Sequence, residues 1–526
     1  MAVTRLPARS PLTPEEIAAI RAPFRKATLL PGRAYHDESI YAWEAEHVFF
    51  RDWIAVGRAE EVPEPGSFVL RDVFGESVIL VRGRDDVVRA FYNVCRHRGT
   101  AVAEEACGTA VRFQCPYHAW IYDLEGRLVR AKHTDDVDDF SFEEYSLRPI
   151  PVDVRDGRIL AALDAPRPAP PASPTQDSPI LTAAEVAAVR RPYRAASLLP
   201  GRAYHDPAIH DFERREWFRR DWIAIGREED VEGTAGALEA IVDGQPVVVA
   251  RTADGVLRAS AAGLPIRVEA WHGFVFACFD GGTPSLAAWL DDLPGHLDRF
   301  EFRRLRSAHQ LSYHIAANWK LVAENYSECY HCPGLHPHLN HLTPYDLGGD
   351  YDTRGPWQGG WMELTGGAET MALQGGRRGG RPALSGMTPL DERRIVYYLV
   401  WPTLFLSLHP DYLLVHRLVP DGPERTRIVC DWLFEPETIA APSFDPADAI
   451  AFWDLTNRQD WHVCELQQRG TASRSWTAGR YSNQEPSVQA FDLMVADRYA
   501  ADAVVSRRTV RERYDERVSK GPSAET

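Results

Sequence analysis

The sequence predicts an α+β protein built from several domains. Before Asp280 the chain carries short β-branched runs that are broken by Gly and Asp, a pattern typical of small antiparallel sheets. After Asp280, helical patterns around Asn318–Tyr330 and Pro446–Gln468 accompany longer strand-like runs. Those runs are Ile395–His409, Tyr412–Val419 and Arg427–Phe434. The stretch Gly359–Pro389, rich in glycine and arginine, is predicted to be a mobile surface loop or lid.

The composition excludes several classes of function. The chain has 526 residues, a net charge of −16 and a pI near 5.6, which argue against nucleic-acid binding and against anionic membrane surfaces. No apolar run reaches the length of about 18 residues that a membrane span requires. Eight cysteines are few for a chain of this length. We therefore expect a cytoplasmic protein without a disulfide framework.

An internal duplication organises the N-terminal half of the chain. Leu12–Ala90 repeats at Leu181–Ala259 with a constant offset of 169 residues and no gap. Within it, the segment Leu30-Pro-Gly-Arg-Ala-Tyr-His-Asp37 returns unchanged as Leu199–Asp206. Identity of this kind over about eighty positions is the signature of a repeated module.

Two short motifs in the first copy combine soft thiolates with imidazoles. Cys95-Arg-His97 and Cys115-Pro-Tyr-His118 together offer two sulfur and two nitrogen ligands. A [2Fe–2S] cluster normally takes four thiolates, and replacing two of them with histidines on one iron raises its potential to about −150 to +300 mV. The four residues therefore predict such a cluster. A Cys₂His₂ zinc site is the alternative, because zinc accepts the same ligand atoms.

The second copy does not retain this metal site. Cys95 and His97 fall opposite Leu264 and Ile266, and 53 residues that include the whole Cys115–His118 motif are missing. We therefore expect the second copy to be a scaffold that binds no metal.

The duplication and the composition together predict a domain division. The predicted parts are an N-terminal extension (1–40), the metal-binding copy (41–164), a Pro/Ala-rich linker (165–180), the cluster-less copy (181–280) and a C-terminal domain (281–526). Trp217 and Trp222 of the cluster-less copy are expected to form a docking face for the metal-binding copy or for a neighbouring subunit.

A second group of metal-ligand residues follows the duplication. In the run Glu328-Cys-Tyr-His331-Cys-Pro-Gly-Leu-His336, Glu328 and His331 share one helix face. The Pro-Gly pair should break the helix and turn His336 back toward His331. Two histidines and one carboxylate form the facial triad that leaves open positions on Fe(II). Hydrogen-bonded core histidines, and a zinc ribbon built on the C-x-x-C pair, are the alternatives.

The carboxylate of this triad is expected from the helix around Asp460. At about 100° per residue, four apolar residues of this helix fall on one face. They are Phe452, Leu455, Val463 and Leu466. Asp460 lies at the edge of that face, whereas Asp454 projects to the opposite side. A carboxylate on the buried side of a helix is costly unless it meets a cation or a metal, so Asp460 is the predicted ligand.

The two predicted sites resemble those of Rieske non-haem iron oxygenase α subunits, in particular choline and glycine betaine monooxygenases. The residues that show this resemblance are the Cys95/His97/Cys115/His118 quartet, the block from Asn318 to Pro337 and the run Trp453–Gly470. The resemblance implies that the quartet holds a [2Fe–2S] cluster and that a mononuclear non-haem Fe(II) is held by a second set of ligands. That second set is His331, His336 and Asp460, and Glu328 is implied to be an acidic bridge to a neighbouring subunit's cluster.

The resemblance also carries a fold and an assembly. It implies a Rieske antiparallel β domain, a catalytic domain with a helix-grip antiparallel sheet, and a homotrimer in which one subunit's cluster serves the next subunit's iron. The inserted cluster-less copy departs from this family pattern.

The activity implied is that of an oxygenase component. It would use O₂ and electrons from a ferredoxin or flavin reductase to hydroxylate a small organic substrate, with N- or O-dealkylation of a quaternary ammonium compound as one outcome. No nucleotide-binding or flavin fingerprint is found in the sequence, so the electrons must come from a partner. Trp357, Trp361, Tyr345 and Tyr351 are candidates for an aromatic cage. An aromatic ring dioxygenase, and a non-catalytic iron–sulfur electron carrier or redox sensor, are the alternatives.

Overall fold

The computed structural model describes residues 10–163, 180–232 and 236–500. The predicted linker at 165–180 lies outside these ranges apart from Ile180. Within the described ranges, no helix is both long and apolar enough to cross a membrane.

The first copy is a set of small antiparallel sheets behind two helices. Its sheets have the strand orders β1-β11-β10, β5-β2-β3-β4-β9 and β6-β7-β8, with the following bounds: α1 (Pro14–Ile20), α2 (Glu38–His47), β1 (Ile54–Arg58), β2 (Ser67–Val73), β3 (Glu76–Arg82), β4 (Val88–Tyr92), β5 (Cys107–Thr109), β6 (Phe113–Gln114), β7 (Ile121–Tyr122), β8 (Leu128–Arg130), β9 (Pro149–Ile150), β10 (Val152–Arg155) and β11 (Arg158–Ala161).

Two tight turns carry the predicted cluster ligands. The first follows β4, where the amide of Gly99 donates to the Cys95 carbonyl and Gly99 adopts a φ of +85°, which glycine tolerates without strain. The second joins β6 to β7, where the amide of Ala119 donates to the Cys115 carbonyl. Each turn thus places a cysteine and a histidine at its tip.

The second copy forms one six-stranded antiparallel sheet in the order β12-β17-β16-β15-β14-β13. Its elements are α3 (Ala183–Val189), α4 (Pro207–Glu213), β12 (Ile223–Arg227), β13 (Ala237–Val242), β14 (Gln245–Arg251), β15 (Leu257–Ala261), β16 (Leu264–Trp271) and β17 (Phe274–Cys278). A two-residue turn, Ala262-Gly263, with positive φ at both residues, joins β15 directly to β16. Leu264 and Ile266 are therefore ordinary strand residues where the first copy has its ligand loops.

The C-terminal domain is a seven-stranded antiparallel sheet with helices packed against it. The strand order is β18-β24-β23-β22-β21-β20-β19, and the elements are α5 (Leu286–Leu290), α6 (Leu293–Leu297), β18 (Arg306–Ile315), α7 (Trp319–Tyr326), α8 (Cys332–Leu335), α9 (Pro337–Leu342), β19 (Gly348–Asp350), β20 (Trp357–Glu363), β21 (Arg394–Val400), β22 (Leu404–Leu408), β23 (Leu413–Pro420), β24 (Thr426–Phe434), α10 (Pro436–Ala440), α11 (Ala447–Thr471) and α12 (Pro486–Tyr499). The predicted α+β class and the sheet-and-helix catalytic domain are confirmed.

Three local predictions in this domain need correction. The run Ile395–His409 is two strands, β21 and β22, that pair with each other as a hairpin. The predicted lid Gly359–Pro389 begins inside β20, and Met371 within it is fully buried, so the segment is largely packed structure. Leu455, expected on the buried face of α11, is exposed, and Thr456 and Asn457 are buried beside it, because neighbouring elements cover a different arc of the helix.

The cluster-less copy packs against the C-terminal domain and not through its tryptophans against the first copy. The ring of Trp217 lies 5.4 Å from that of Trp401 and 6.3 Å from that of Trp319. The indole of Trp222 donates to the carbonyl of Pro284. The docking face predicted from Trp217 and Trp222 exists, but its partner is the sheet domain of the same chain.

The missing ligand loops in the second copy generate a prediction for metal content. The full-length chain should contain about three irons and two acid-labile sulfides, which correspond to one [2Fe–2S] cluster and one mononuclear iron. Replacing Cys115 with Ala should remove the sulfide and leave about one iron. Metal and sulfide assays check this, and a content near five irons and four sulfides would contradict it.

Candidate metal centres

The four predicted cluster ligands converge at the buried tips of the two turns. Cys95, His97, Cys115 and His118 are all at most 4% exposed. The His97 and His118 rings pack edge to face with centroids 4.6 Å apart, and the other face of His97 stacks on Trp120. The structure thus brings together the two sulfurs and two imidazoles that the spacing predicted.

The two imidazoles are held from outside by their Nε2 atoms. His97 Nε2 lies 3.0 Å from Glu485 Oε2, and His118 Nε2 lies 3.0 Å from Glu328 Oε1. The opposite nitrogen of His97, Nδ1, is buried and has no hydrogen-bond partner among the described residues. A buried nitrogen without a partner is costly, and a metal on Nδ1 would satisfy it. The donor set therefore fits an iron–sulfur cluster.

The local electrostatics favour metal-binding protonation states at His118 and Cys95, whereas burial and the neighbouring Cys95 raise the pKa of the Cys115 thiol well above its usual value. Burial lowers the pKa of His118 to about 4 in spite of the nearby Glu328, so the ring is neutral and can donate a lone pair. Burial raises the pKa of the Cys95 thiol, but a hydrogen bond with Cys115, the charge of His97 and the Tyr122 hydroxyl outweigh it and lower that pKa to about 6. A thiolate at Cys95 suits the role of an iron ligand.

The second centre is formed by His331, His336 and Asp460. Asp460 Oδ1 lies 2.8 Å from His336 Nε2 and 3.3 Å from His331 Nε2, and the two rings lie 5.0 Å apart, nearly perpendicular. Two nitrogens and one carboxylate oxygen within this distance of one another match the facial triad of non-haem iron. Asp454, the rejected alternative, instead accepts from the Tyr313 hydroxyl and pairs with Arg458.

The backbone brings His336 toward His331 by a route that differs from the predicted one. Pro333 does not break a helix but lies in the first turn of the short helix α8, where proline is tolerated. The chain turns at His336 itself, which has φ −122° and ψ 66° and precedes Pro337. A residue before proline avoids helical geometry, and this reverses the chain between α8 and α9.

A single carboxylate oxygen links the two centres. Glu328 Oε1 lies 3.0 Å from His118 Nε2 and 2.8 Å from His331 Nδ1. Burial raises the pKa of Glu328, but His331 and His118 outweigh it and hold that pKa well below its usual range. An ionised carboxylate can accept from both rings at once, and it orients each ring with its other nitrogen toward a metal.

Sequence reasoning missed three residues that hold the ligands in place. Gln459 Oε1 lies 2.8 Å from His336 Nδ1, and Glu485 holds His97. Arg98 donates to Glu324 and lies within 3.5 Å of Glu328 and Glu485. Arg98 and Gln459 are sequence neighbours of predicted ligands, and this proximity could have identified them from the sequence. Glu485 has none, because 388 positions separate it from His97.

The C-x-x-C pair between Glu328 and His336 is a disulfide. Cys329 and Cys332 are joined with an S–S distance of 1.96 Å. The alternative of a zinc ribbon on these two sulfurs is therefore wrong. The sequence predicted a chain without a disulfide framework; this single pair joins residues only three positions apart, and the other six cysteines are free.

A cavity of about 980 Å³ opens onto the second centre. It is lined by the three ligands, by polar side chains and by the aromatic rings of Tyr326, Tyr397 and Phe405. A cavity of this size suits a small organic molecule. A facial triad at its wall would present an open metal position to whatever the cavity binds.

Comparison with known proteins identifies the two halves of the arrangement. Residues 52–141 match the Rieske [2Fe-2S] domain, and residues 302–501 match the ring hydroxylating alpha subunit (catalytic domain). The glycine betaine monooxygenase oxygenase subunit of Chromohalobacter salexigens is 25% identical over 484 residues, which cover 86% of this chain and 81% of that protein. The carnitine monooxygenase oxygenase subunit of Escherichia coli is 36% identical over 140 residues, 27% of this chain and 37% of that protein.

Among solved structures, the quaternary ammonium Rieske monooxygenase CntA aligns at 20% identity, covering 89% of this chain and 95% of that chain. The TM-score of this alignment is 0.38.

The chain combines a Rieske domain with a ring-hydroxylating catalytic domain, and it belongs to the Rieske non-haem iron oxygenases. It is similar, within that family, to the oxygenase subunits of quaternary-ammonium monooxygenases. A [2Fe–2S] cluster and a mononuclear non-haem iron are its cofactors. It acts on a small molecule with O₂ and with electrons from a reductase or ferredoxin. The alternative of a non-catalytic electron carrier is thereby set aside.

The triad geometry predicts different outcomes for two aspartates on the same helix. Asp460→Ala should empty the mononuclear site, because one of its three ligands is lost, while the visible absorption of the cluster stays unchanged. Asp454→Ala is the matched control and should keep all iron, since the Asp454 carboxylate bonds Tyr313 and Arg458 and not the triad. Iron assays with absorption spectra check both, and iron loss in the control alone would reverse the assignment.

Proposed function

We propose that Cys95, His97, Cys115 and His118 bind the cluster and that the mononuclear iron binds at the triad of the second centre. Two observations support this proposal. The buried Nδ1 of His97 has no hydrogen-bond partner among the described residues, and one oxygen of Asp460 lies close to the Nε2 atoms of both His331 and His336. We also propose the division into domains with boundaries at 41, 165, 181 and 281, which is supported by each sheet lying within one of these parts. A ferredoxin or flavin reductase as donor and a cytoplasmic location stay predictions.

We further propose that the substrate is a quaternary ammonium compound, oxidised on a carbon next to nitrogen. The iron supplies O₂ activation when bound. One oxygen atom enters a C–H bond, the other leaves as water, and two electrons and two protons are consumed. The resulting N–CH₂OH group loses its proton as the C–N bond breaks, giving an aldehyde and the dealkylated amine. The residues of the chain bind and orient the substrate and exclude water.

The observation that carries this substrate class is the aromatic wall beside the triad. Tyr326 stacks on Phe405 with centroids 4.4 Å apart, and Tyr397 meets Tyr326 edge to face at 6.0 Å. All three line the cavity. Faces of aromatic rings attract a quaternary ammonium by about 0.5–2 kcal/mol each.

The aromatic cage predicted from sequence differs from this one. Trp357 is buried in the core, where its indole donates to Asp292, and does not line the cavity. The Arg394 guanidinium lies 3.5 Å from the centre of the Trp361 ring and occupies that face. Tyr345 and Tyr351 do line the cavity, but no ring contact joins them to the Tyr326, Tyr397 and Phe405 group among the described residues. We therefore move the proposed cage to Tyr326, Tyr397 and Phe405.

The charge of the cavity also favours a cationic substrate. Away from the metal centres, its wall includes Asp136, Asp350 and Asp352 but only one arginine, Arg194. An excess of carboxylates at a cavity raises the local concentration of cations. A neutral arene would gain nothing from this charge, so the charge favours the quaternary ammonium proposal over ring dioxygenation.

Substrate-dependent O₂ uptake with a surrogate reductase tests the proposal. Glycine betaine, carnitine and choline are compared with naphthalene and biphenyl, and aldehyde and amine products are measured. Tyr397→Leu, which loses the ring, should raise KM for the quaternary substrate about 2- to 30-fold. Tyr397→Phe keeps the ring and should keep KM. Uptake with the arenes alone, yielding phenol or cis-diol, would overturn the substrate class.

The shared oxygen of Glu328 predicts a separable electron-transfer defect. Glu328→Gln has nearly the same shape but cannot accept from two rings with one oxygen anion, so turnover should fall about 10- to 100-fold while both metals are retained. After reduction, the cluster absorption should stay bleached in the presence of O₂ and substrate. Glu104→Gln, a half-exposed carboxylate at the rim of the domain contact, is the control. Reoxidation at the wild-type rate in Glu328→Gln would refute the bridging role.

A further inference from the structure

We propose that a single chain is the complete electron-transfer unit: electrons pass from the cluster to the iron of the same chain, and the cluster-less copy occupies the second docking place on the catalytic domain. This rests on the proposed ligand assignments. Each electron comes from an external ferredoxin or flavin reductase, leaves the reduced cluster oxidised again, and reaches the iron through the contact at Glu328. The family resemblance instead predicts that a neighbouring subunit supplies the cluster.

One buried carboxylate on α7 holds both copies at once. Glu324 Oε2 accepts from the Arg98 guanidinium of the first copy at 2.6 Å. Glu324 Oε1 accepts from the Tyr204 hydroxyl of the second copy, also at 2.6 Å. A carboxylate has two oxygens, and here each is used by a different copy. One catalytic domain therefore has two distinct docking places, and one chain supplies an occupant for both.

The two copies dock through different faces. The second copy uses the face that contains Leu198, Tyr204 and Trp222, which are at most 3% exposed. Their equivalents in the first copy, at the offset of 169 residues, are Leu29, Tyr35 and Trp53. These are 89%, 73% and 49% exposed. The same surface is thus buried in one copy and open in the other, because the first copy docks by its cluster tip.

The catalytic domain is shaped to receive that cluster tip. A Cβ atom on Gly470 would lie 1.6 Å from the Gly99 carbonyl oxygen, and one on Gly479 would lie 1.9 Å from the His97 carbonyl oxygen. No side chain fits at either position while the tip is docked. Arg98 enters beside these glycines and is buried among three carboxylates. Withdrawing the tip would separate Arg98 from these buried carboxylates, which is strongly unfavourable and opposes undocking.

The second copy cannot replace the first as electron source. Its β15–β16 hairpin is closed by a two-residue turn where the ligand loops of the first copy stand. Each chain therefore has one cluster and one iron, and its cluster-less copy fills the second docking place. No neighbouring chain is needed to complete the cluster–iron pair. A chain exchange between two molecules is the competing arrangement, since residues 164–179 could span at most about 55 Å when extended.

Crosslinking across the rim of the interface tests which chain supplies the cluster. Glu104 Oε2 of the first copy lies 2.5 Å from His462 Nε2 on α11, and both side chains are partly exposed. Both are replaced with cysteine in a background in which Cys107, the exposed free cysteine, is replaced with serine. A short bis-maleimide is then added to the holoprotein, and the products are separated on a denaturing gel.

The double variant Glu104→Cys/His462→Cys should lose both thiols and run as a single chain. The two single variants, co-expressed so that mixed assemblies can form, are the matched control and should yield no covalent dimer. A covalent dimer from either sample would overturn the proposal, whether it arises from a ring or from chain exchange. Retained visible absorption of the cluster shows that the variants are folded, and no turnover is needed for this readout.

A second measurement follows the electrons. Cys115→Ala chains, which lack the cluster, are co-expressed with Asp460→Ala chains, which lack the iron, and any mixed assembly is isolated with two tags. After reduction, the remaining clusters should stay reduced with O₂ and substrate. In a ring of three, pairing between chains would instead leave each mixed assembly with one complete cluster–iron pair, so about two thirds of the remaining clusters would be reoxidised when both kinds of mixed ring are equally common. Failure of the wild type to reoxidise would contradict the proposed function and leave the gel result standing.

Discussion

The buried ion cluster around Arg98 is the interaction on which the arrangement of the domains depends. The guanidinium is almost completely buried and pairs with Glu324 at 2.6 Å, Glu485 at 3.4 Å and Glu328 at 3.5 Å. A buried charge without a partner is strongly unfavourable, and removing one member of such a pair costs about 3–5 kcal/mol. The first copy can bury Arg98 only against these three carboxylates. Its docking position is therefore defined by charge as well as by shape.

The same carboxylates orient the metal ligands, so docking and metal geometry are not independent. Glu485 contacts His97, and Glu328 contacts His118 as well as His331. Burial lowers the pKa of Arg98, but Tyr117 and the surrounding carboxylates outweigh it and raise that pKa well above its usual value. A permanent positive charge in turn helps to keep Glu328 and Glu485 ionised. His97 and His118 therefore meet their acceptors only when the domains are docked, whereas His331 has Glu328 within its own domain.

The parts of the site that sequence could predict are those defined by short spacing. The two Cys–His motifs and the Glu328/His331/His336 run are local, and the structure brings the residues of each proposed site close together. Asp460 was found from the face of α11, although Leu455 on the same supposed face is exposed, because the stripe was drawn from hydrophobicity alone and polar Thr456 and Asn457 are buried.

What could not be predicted arises from contacts between distant parts of the chain. Glu485 lies in a loop with no periodic pattern, and nothing local marks it as the acceptor for His97. The sequence predicted the strand segments and the α+β fold class. The position of each copy on the catalytic domain, however, depends on which of its faces is complementary to that domain. Two copies related by duplication have taken different places, so sequence alone cannot assign the face.

The open surface at Leu29, Tyr35 and Trp53 connects this structure to the fate of duplicated genes. A lone Rieske domain in a ring must keep both its packing face and its metal tip, because it performs both tasks. In this chain the second copy has lost the tip and kept the packing face, and the first copy has kept the tip and no longer buries that face among the described residues. The two changes are complementary, because each copy supplies what the other lacks. The segment Leu30–Asp37, which contains Tyr35 of the open face, is nevertheless identical in the two copies, so loss of burial there has not been followed by divergence in sequence.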